Sequence, residues 1–343
     1  MSRRYKLWCA LALLGASHAL VLFAGFFAPY SYSTQNRDMP YAPPMRIHFI
    51  DAQGSLHARP FVYALKEDSA LSGTYVTDHS REYPVHLFVH GSSYKVLGLF
   101  DSRIHLFGVE QPARLFLLGT DEYGRDQFTR FLYGGQVSLA AGLIAAAISL
   151  LLGGIIGTLA GFYGGWIDEV LMRAGELFFA LPWLYLLFAV RAALPLHIAQ
   201  WQVFLLLLAV CGIIGWTRPA RLIRGVVLSA KERNFLIAAR TFGASDFYLM
   251  RRHVLPQTYG IILTQAALLV PQFILAEVTL TFLGLGVGAP MASWGGLIAS
   301  LQHYYVLASY WWMFAPALLL IPIFAAYYVI ADELQEHLKS VPL

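Results

Sequence analysis

The residues able to do chemistry in this 343-residue chain are few, and most stand alone. His18, Arg173, Glu176 and Glu277 interrupt otherwise apolar runs. Ionisable groups at membrane depth are costly and often functional, so the two carboxylates could serve an ion or proton path. His18 fits a histidine bonded to a neighbouring helix better than a proton relay. Cys9 and Cys211 each sit inside an apolar run, which leaves no disulfide framework and no metal-spaced set. His86 and His90 would share a strand face with Phe88, but with no cysteine and no second paired cluster they read as surface histidines. Asp121, Arg125 and Asp126 have the spacing of an ion-paired turn without substrate contact. The absences are as informative. No Gly-x-x-x-x-Gly-Lys-Ser/Thr occurs, and none of the five lysines follows a glycine, so nothing here cradles a nucleotide phosphate. Neither Gly-x-Ser-x-Gly nor His-Glu-x-x-His occurs, so no nucleophile–base or metal set supports an enzyme. No catalytic, cofactor-binding or metal-binding residue is expected on this chain.

The elements around these residues are those of a membrane protein. Hydrophobic residues make up 58% of the chain and charged ones 13%, against about 25% charged in a soluble domain. Mean hydropathy is +0.58. The apolar run Leu7–Ala28 exceeds the ~7–15 residues of a signal-peptide core and matches the ~20 needed to span a bilayer, so it is an uncleaved first helix. Further apolar segments at 138–160, 170–190, 200–217, 258–283 and 306–331 predict an all-α polytopic protein of about six transmembrane helices. The stretch 284–305 is uncharged but broken by glycines and Pro290, and reads as a re-entrant or buried loop. The domains are then 1–28, an N-terminal segment with the first helix; 29–137, an insert; 138–331, a five-helix core; and 332–343, a tail. Arg3, Arg4 and Lys6, with the basic segment 218–257, place both termini and that segment in the cytoplasm and 29–137 outside. Within the insert, alternating runs such as Val85–His90, bounded by Pro84 and Gly91, predict a small β-rich domain over 40–115.

One cytoplasmic stretch has the pattern of a rigid knob. Phe235, Ala238, Ala239 and Phe242 recur at helical spacing. Gly243 can stop that helix and turn the chain, Ser245 and Asp246 can cap a second helix, and Pro256 suits the first turn of the helix returning to the membrane. Such a knob could pass force to the spanning helices; alone, it could equally be a basic amphipathic face on anionic lipid.

Ile237-Ala238-Ala239-x-x-x-Gly243, with Leu255-Pro256 beyond, resembles the coupling motif of permeases in binding-protein-dependent ATP-binding-cassette importers. Ile237 stands where the family usually has Glu, and His253 where it usually has Ile, which removes a possible ion pair with the ATPase. Leu118-Gly-Thr-Asp-Glu-Tyr-Gly-Arg-Asp126 resembles the signature of the second permease of dipeptide, oligopeptide and nickel importers. Gly161–Asp168, Phe282–Val287 and Ser293-Trp294-Gly295 resemble turns of the same group. The likeness is close over 115–331, loose over 1–30, and does not reach the insert or the tail.

That resemblance implies a permease subunit of the bacterial inner membrane that forms half of a path for peptides or similar small solutes. Its partners would be a homologous permease, separate ATPase subunits, an extracytoplasmic binding protein and membrane lipid, with no nucleic acid. The loop 232–256 would dock on the ATPase through Phe235, Ala238, Ala239, Phe242, Gly243, Ala244, Leu255 and Pro256. Glu277, Gly284 and Gly286 would be gating or pathway residues, although glycines at 153–165 and 284–296 could equally serve close helix packing. The competing reading is a secondary transporter or channel using Glu176 or Glu277; a polytopic enzyme is disfavoured by the missing site.

Overall fold

The computed structural model describes residues 3–68, 73–195 and 198–340; the side chains of Arg3, Arg4, Gln200, Leu338, Lys339 and Ser340 lie outside the described ones. In chain order the elements are α1 (Arg3–Leu22), α2 (Ala24–Phe27), β1 (His48–Ile50), β2 (Leu56–Glu67), β3 (Tyr75–Pro84), β4 (His86–Val96) and β5 (Phe100–Gly108). The helices α3 (Gln127–Tyr163), α4 (Gly165–Ala180), α5 (Trp183–Ala193), α6 (Gln200–Ile214), α7 (Thr217–Lys231), α8 (Asn234–Thr241) and α9 (Asp246–Leu249) follow. Then come α10 (Leu255–Phe282), α11 (Trp294–Ala299), α12 (Tyr304–Ser309) and α13 (Ala315–Ser340). Among the described residues five helices are long and apolar enough to cross a membrane, or six if the bent pair α4–α5 is one span.

The helices run past the limits that apolar windows gave. α3 starts at Gln127 rather than 138, because Arg130 and neighbouring polar groups hid its first turns. Its 37 residues measure about 55 Å, well beyond the ~30 Å of hydrocarbon. The expected span at 170–190 is instead α4 and α5, bent by 83° at Leu181-Pro182. Leu181 is extended, as a residue ahead of proline tends to be. The span expected from 306 starts as a separate short helix, α12, and α13 continues through most of the expected tail.

The chain divides into two compact units. In the unit of Met1–Leu13, Leu139–Glu277 and Phe324–Leu343, three glycines let α3 approach α7 backbone to backbone. A Cβ at Gly153, Gly157 or Gly161 would lie 3.0, 2.5 or 2.9 Å from the carbonyl oxygen of Trp216, Ala220 or Arg224. Both triplets repeat every four residues, so one stripe of each helix meets the other. These three glycines serve close helix packing.

The unit of Leu14–Ser138 and Val278–Ile323 carries the β structure. β1-β2-β3 form an antiparallel sheet and β4-β5 a separate antiparallel pair. Val62, Leu65 and Tyr83 face Ala42, Met45, Leu115 and Phe116 to make its core. β4 runs through Gly91 to Val96 rather than ending there. His86 and His90 pair with Gly108 and Ile104, so they keep a common face, while Phe88 between them turns to a φ of +55°. His57 meets Asp51 at 2.9 Å and Glu82 at 3.6 Å. That hydrogen bond holds the Asp51 carboxyl below, and the His57 imidazole above, their ordinary ranges. In the loop region, Trp294 is fully buried, its indole N–H donating to the Phe131 carbonyl at 3.0 Å and its backbone N–H to Ser138 Oγ at 3.1 Å. The glycine-broken stretch is buried around Ala292–Gly295 but exposed at Ala289–Met291 and Gln302–Tyr305, and two short helices, α11 and α12, stand where a loop was expected.

Candidate functional site

The knob is built as a helix, a tight turn and a second helix, as the sequence suggested. α8 closes in a Schellman turn: Gly243 N–H donates to Arg240 O at 3.0 Å and Ala244 N–H to Ala239 O at 3.1 Å. Gly243 takes the φ of +85° that this turn demands. Ser245 then caps α9, its Oγ accepting from Tyr248 N–H at 3.4 Å. Arg240 and Asp246 bridge the turn at 2.8 Å, an exposed pair worth little by itself.

What holds the knob is apolar. Leu236, Leu249 and Val254 are buried against Phe162 of α3 and Ile223 and Val227 of α7. Each such side chain contributes roughly 1.5–3 kcal/mol on burial. Lys231 Nζ donates to the Phe162 carbonyl at 2.6 Å, closing the C-terminal end of α3. The ring of His253 sits between Phe235 and Tyr248, with centroids 5.8 and 5.7 Å away, and so ties α8 to the segment after α9. The departure at this position therefore has a packing role.

The expected site residues divide into two sets. Phe235, Ala238 and Phe242 face outward, Phe242 being 90% exposed. Ala239 and Ala244 instead lean on the apolar core of the knob. Ile237, Phe247 and Tyr248, which the sequence reading did not choose, join the outward set. Exposed aromatic and aliphatic groups concentrated on so short a segment mark a surface that meets another protein or a membrane.

Pro256 stands in the first turn of α10, as expected, but that turn continues a helical path rather than starting one. The helical path begins at Asp246, and a π-helical turn at Met250–Val254 precedes α10. Leu255 N–H reaches five residues back to Met250 O. Proline has no N–H to continue the ordinary ladder, and the widened turn takes up the mismatch. Leu255 is half-buried and Pro256 exposed.

Glu277 is buried on α10. Gly284 has a φ of +79° and ends α10 in a second Schellman turn, with Gly284 N–H on Thr281 O at 3.0 Å and Leu285 N–H on Leu280 O at 2.8 Å. Gly286 lies so close to Thr281 that a Cβ would collide with it. Glu176 is mostly exposed, 4.0 Å from Arg221.

The charged turn before α3 is an ion-paired one. Arg125 Nε donates to Asp121 Oδ2 at 2.7 Å, and Asp121 Oδ1 accepts from the backbone N–H groups of Tyr123 and Arg125. Asp126 caps α3 by accepting from Thr129 N–H at 2.8 Å, and burial pushes its carboxyl up to about 6. Arg130, missed because it lies inside a helix start read as loop, is buried 3.7 Å from Asp121.

Residues 153–340 match the family of binding-protein-dependent transport system inner membrane components. The chain is 39% identical over 228 residues to the dipeptide transport system permease protein DppC of Bacillus subtilis, covering 66% of this chain and 69% of that one. It is 35% identical over 231 residues to the oligopeptide transport system permease protein OppC of the same organism, covering 66% and 72%. Over 229 residues it is 32% identical to the glutathione transport system permease protein GsiD of Pectobacterium atrosepticum, covering 67% and 74%. The chain belongs to the family of binding-protein-dependent transport system inner membrane components, as a multi-pass membrane permease subunit.

Proposed function

We propose that this permease imports peptides or similar small solutes and draws its driving force from a separate ATPase that docks on residues 232–256. The carrying observation is the knob: a rigid turn, an apolar core that joins it to α3 and α7, and an outward set of Phe235, Ile237, Ala238, Phe242 and Phe247. Closure of an ATPase pair would push that set, and the buried side chains of Leu236, Leu249 and Val254 would carry the displacement to the spanning helices. The relatives named for dipeptide, oligopeptide and glutathione transport support the solute class. A homologous permease would supply the other half of the path, and an extracytoplasmic binding protein would deliver solute to the side bearing the β strands. Both termini and the basic segment 218–257 would then be cytoplasmic. Glu277, Gly284 and Gly286 remain proposed pathway or gating residues, with Gly284 and Gly286 also explained by the local turn.

Proteoliposomes holding the chain with its partner permease, ATPase subunits and binding protein test the reading. Uptake of a radiolabelled dipeptide should require internal or external ATP on the ATPase side and survive collapse of the proton gradient. Uptake that follows the proton gradient and ignores ATP would support a secondary transporter instead.

A further inference from the structure

Beneath the charged turn lies a cavity of about 360 Å³ that the coupling account does not use. That volume falls in the range of small-ligand sites, roughly 300–1,000 Å³. Arg125, Gln127, Arg130, Ser300, Gln302 and His303 are among the residues that line it. Arg125, Gln127 and Arg130 are buried, with residue exposures of 8%, 0% and 5%.

Their hydrogen bonding is unfinished. Gln127 spends its amide N–H on Met313 Sδ at 2.5 Å, and its Oε1 has no hydrogen-bond partner among the described residues. Arg130 gives one Nη to the Tyr32 carbonyl at 3.2 Å, while its Nε has none. The carboxylate of Asp121 is committed to Arg125 and to two backbone N–H groups, and only approaches Arg130 at 3.7 Å. Two buried guanidiniums therefore share one bound carboxylate. The other acidic group on the lining, Glu122, is exposed. The lining is thus polarised, with one guanidinium in excess of the buried Asp121 carboxylate inside and the Glu122 carboxylate outside. A buried arginine short of partners at the start of a membrane span is costly unless something answers it, and a carboxylate is the group that a planar guanidinium matches best.

We propose that this cavity is a solute site on the permease itself, which takes the carboxylate of a small zwitterion onto Arg130 and leaves its ammonium group toward Glu122. This rests on the importer reading for the identity of that zwitterion as a short peptide with a free C-terminus.

The test is ligand-observed saturation-transfer NMR on the permease–ATPase complex in lipid nanodiscs, without binding protein, using dialanine and dialanine amide as probes. Dialanine should give a transfer signal and the amide little. Arg130→Gln should weaken dialanine binding by roughly tenfold or more, the scale of a lost charged hydrogen bond. Ser300→Phe, which fills the cavity and leaves both arginines in place, should abolish the signal too. Equal signals from the two probes, or a dialanine signal unchanged in both variants, would overturn the site. Dialanine uptake by proteoliposomes that hold the whole wild-type importer with its binding protein, measured in parallel, separates the two ideas. Uptake without binding to the permease refutes the site and spares the importer reading; binding without uptake does the reverse.

Discussion

Gly243 gives the sharpest test of how the knob is made. A Cβ built there meets nothing within 4 Å, so the side chain has room and only the backbone objects. Its φ of +85° costs an L-residue about 1–2 kcal/mol, with β-branched side chains worst and asparagine tolerated. The Schellman bonds at 3.0 and 3.1 Å add roughly 0.5–1.5 kcal/mol each if the turn gives way. The series Gly243→Asn, Gly243→Ala and Gly243→Val should therefore be progressively less stable, although asparagine is larger than alanine. Hydrogen exchange of the amides over 240–249 in the membrane complex reads this directly. Gly243→Ala should speed exchange about 5- to 30-fold, the factor for 1–2 kcal/mol, and Gly243→Val should speed it further. Substrate-stimulated ATP hydrolysis should fall in the same order, with the chain still inserted in the membrane. If Gly243→Asn were as damaging as Gly243→Val, crowding rather than backbone strain would be the cause, and the argument would be refuted.

Three other outcomes follow from the geometry. Gly157→Ala should destabilise the α3–α7 contact by roughly 1–3 kcal/mol, since its Cβ would sit 2.5 Å from Ala220 O. Gly154→Ala, with open space around it, should be neutral or stabilising by up to about 1 kcal/mol; thermal unfolding in detergent compares the two. Asp126 binds its proton more tightly folded than unfolded, because burial raises it from 3.8 to about 6. Stability from this group is therefore full below pH ~4 and lost as pH rises through 6, by up to about 3 kcal/mol. Asp126→Asn should remove that dependence and raise the unfolding midpoint at pH 7; an unchanged pH profile would contradict it. For orientation, in a background with Cys9 replaced by Ser, a cysteine at Ser93 should react with an impermeant thiol reagent in intact cells and one at Ser229 should not. The reverse pattern would invert the topology.

The knob was legible because its signals are local. Helical spacing of Phe235 and Phe242, a glycine where the helix stops and a serine to cap the next are all short-range features. The direction of Ala239 was not legible, since it depends on Phe162, Ile223 and Val227, distant in sequence. Span existence followed from hydropathy, but limits did not: Arg130 ends an apolar window without ending a helix. Strands were readable from alternation, whereas the passage of β4 through Gly91 rests on the cross-strand fit to His105. The cavity at Arg130 had no sequence signal, because it is assembled from the start of α3 and the segment 281–303.

The outward face of the knob is proposed to meet a separate ATPase. A photo-crosslinking residue at Phe242, the most exposed of that set, tests it directly in membranes carrying the whole importer. An adduct should form between this chain and the ATPase subunit, enhanced or depleted by ATP, and no such adduct should form from the same residue at exposed Phe88 on β4. An ATPase adduct from Phe88, or none from Phe242 in a complex that still hydrolyses ATP, would contradict it.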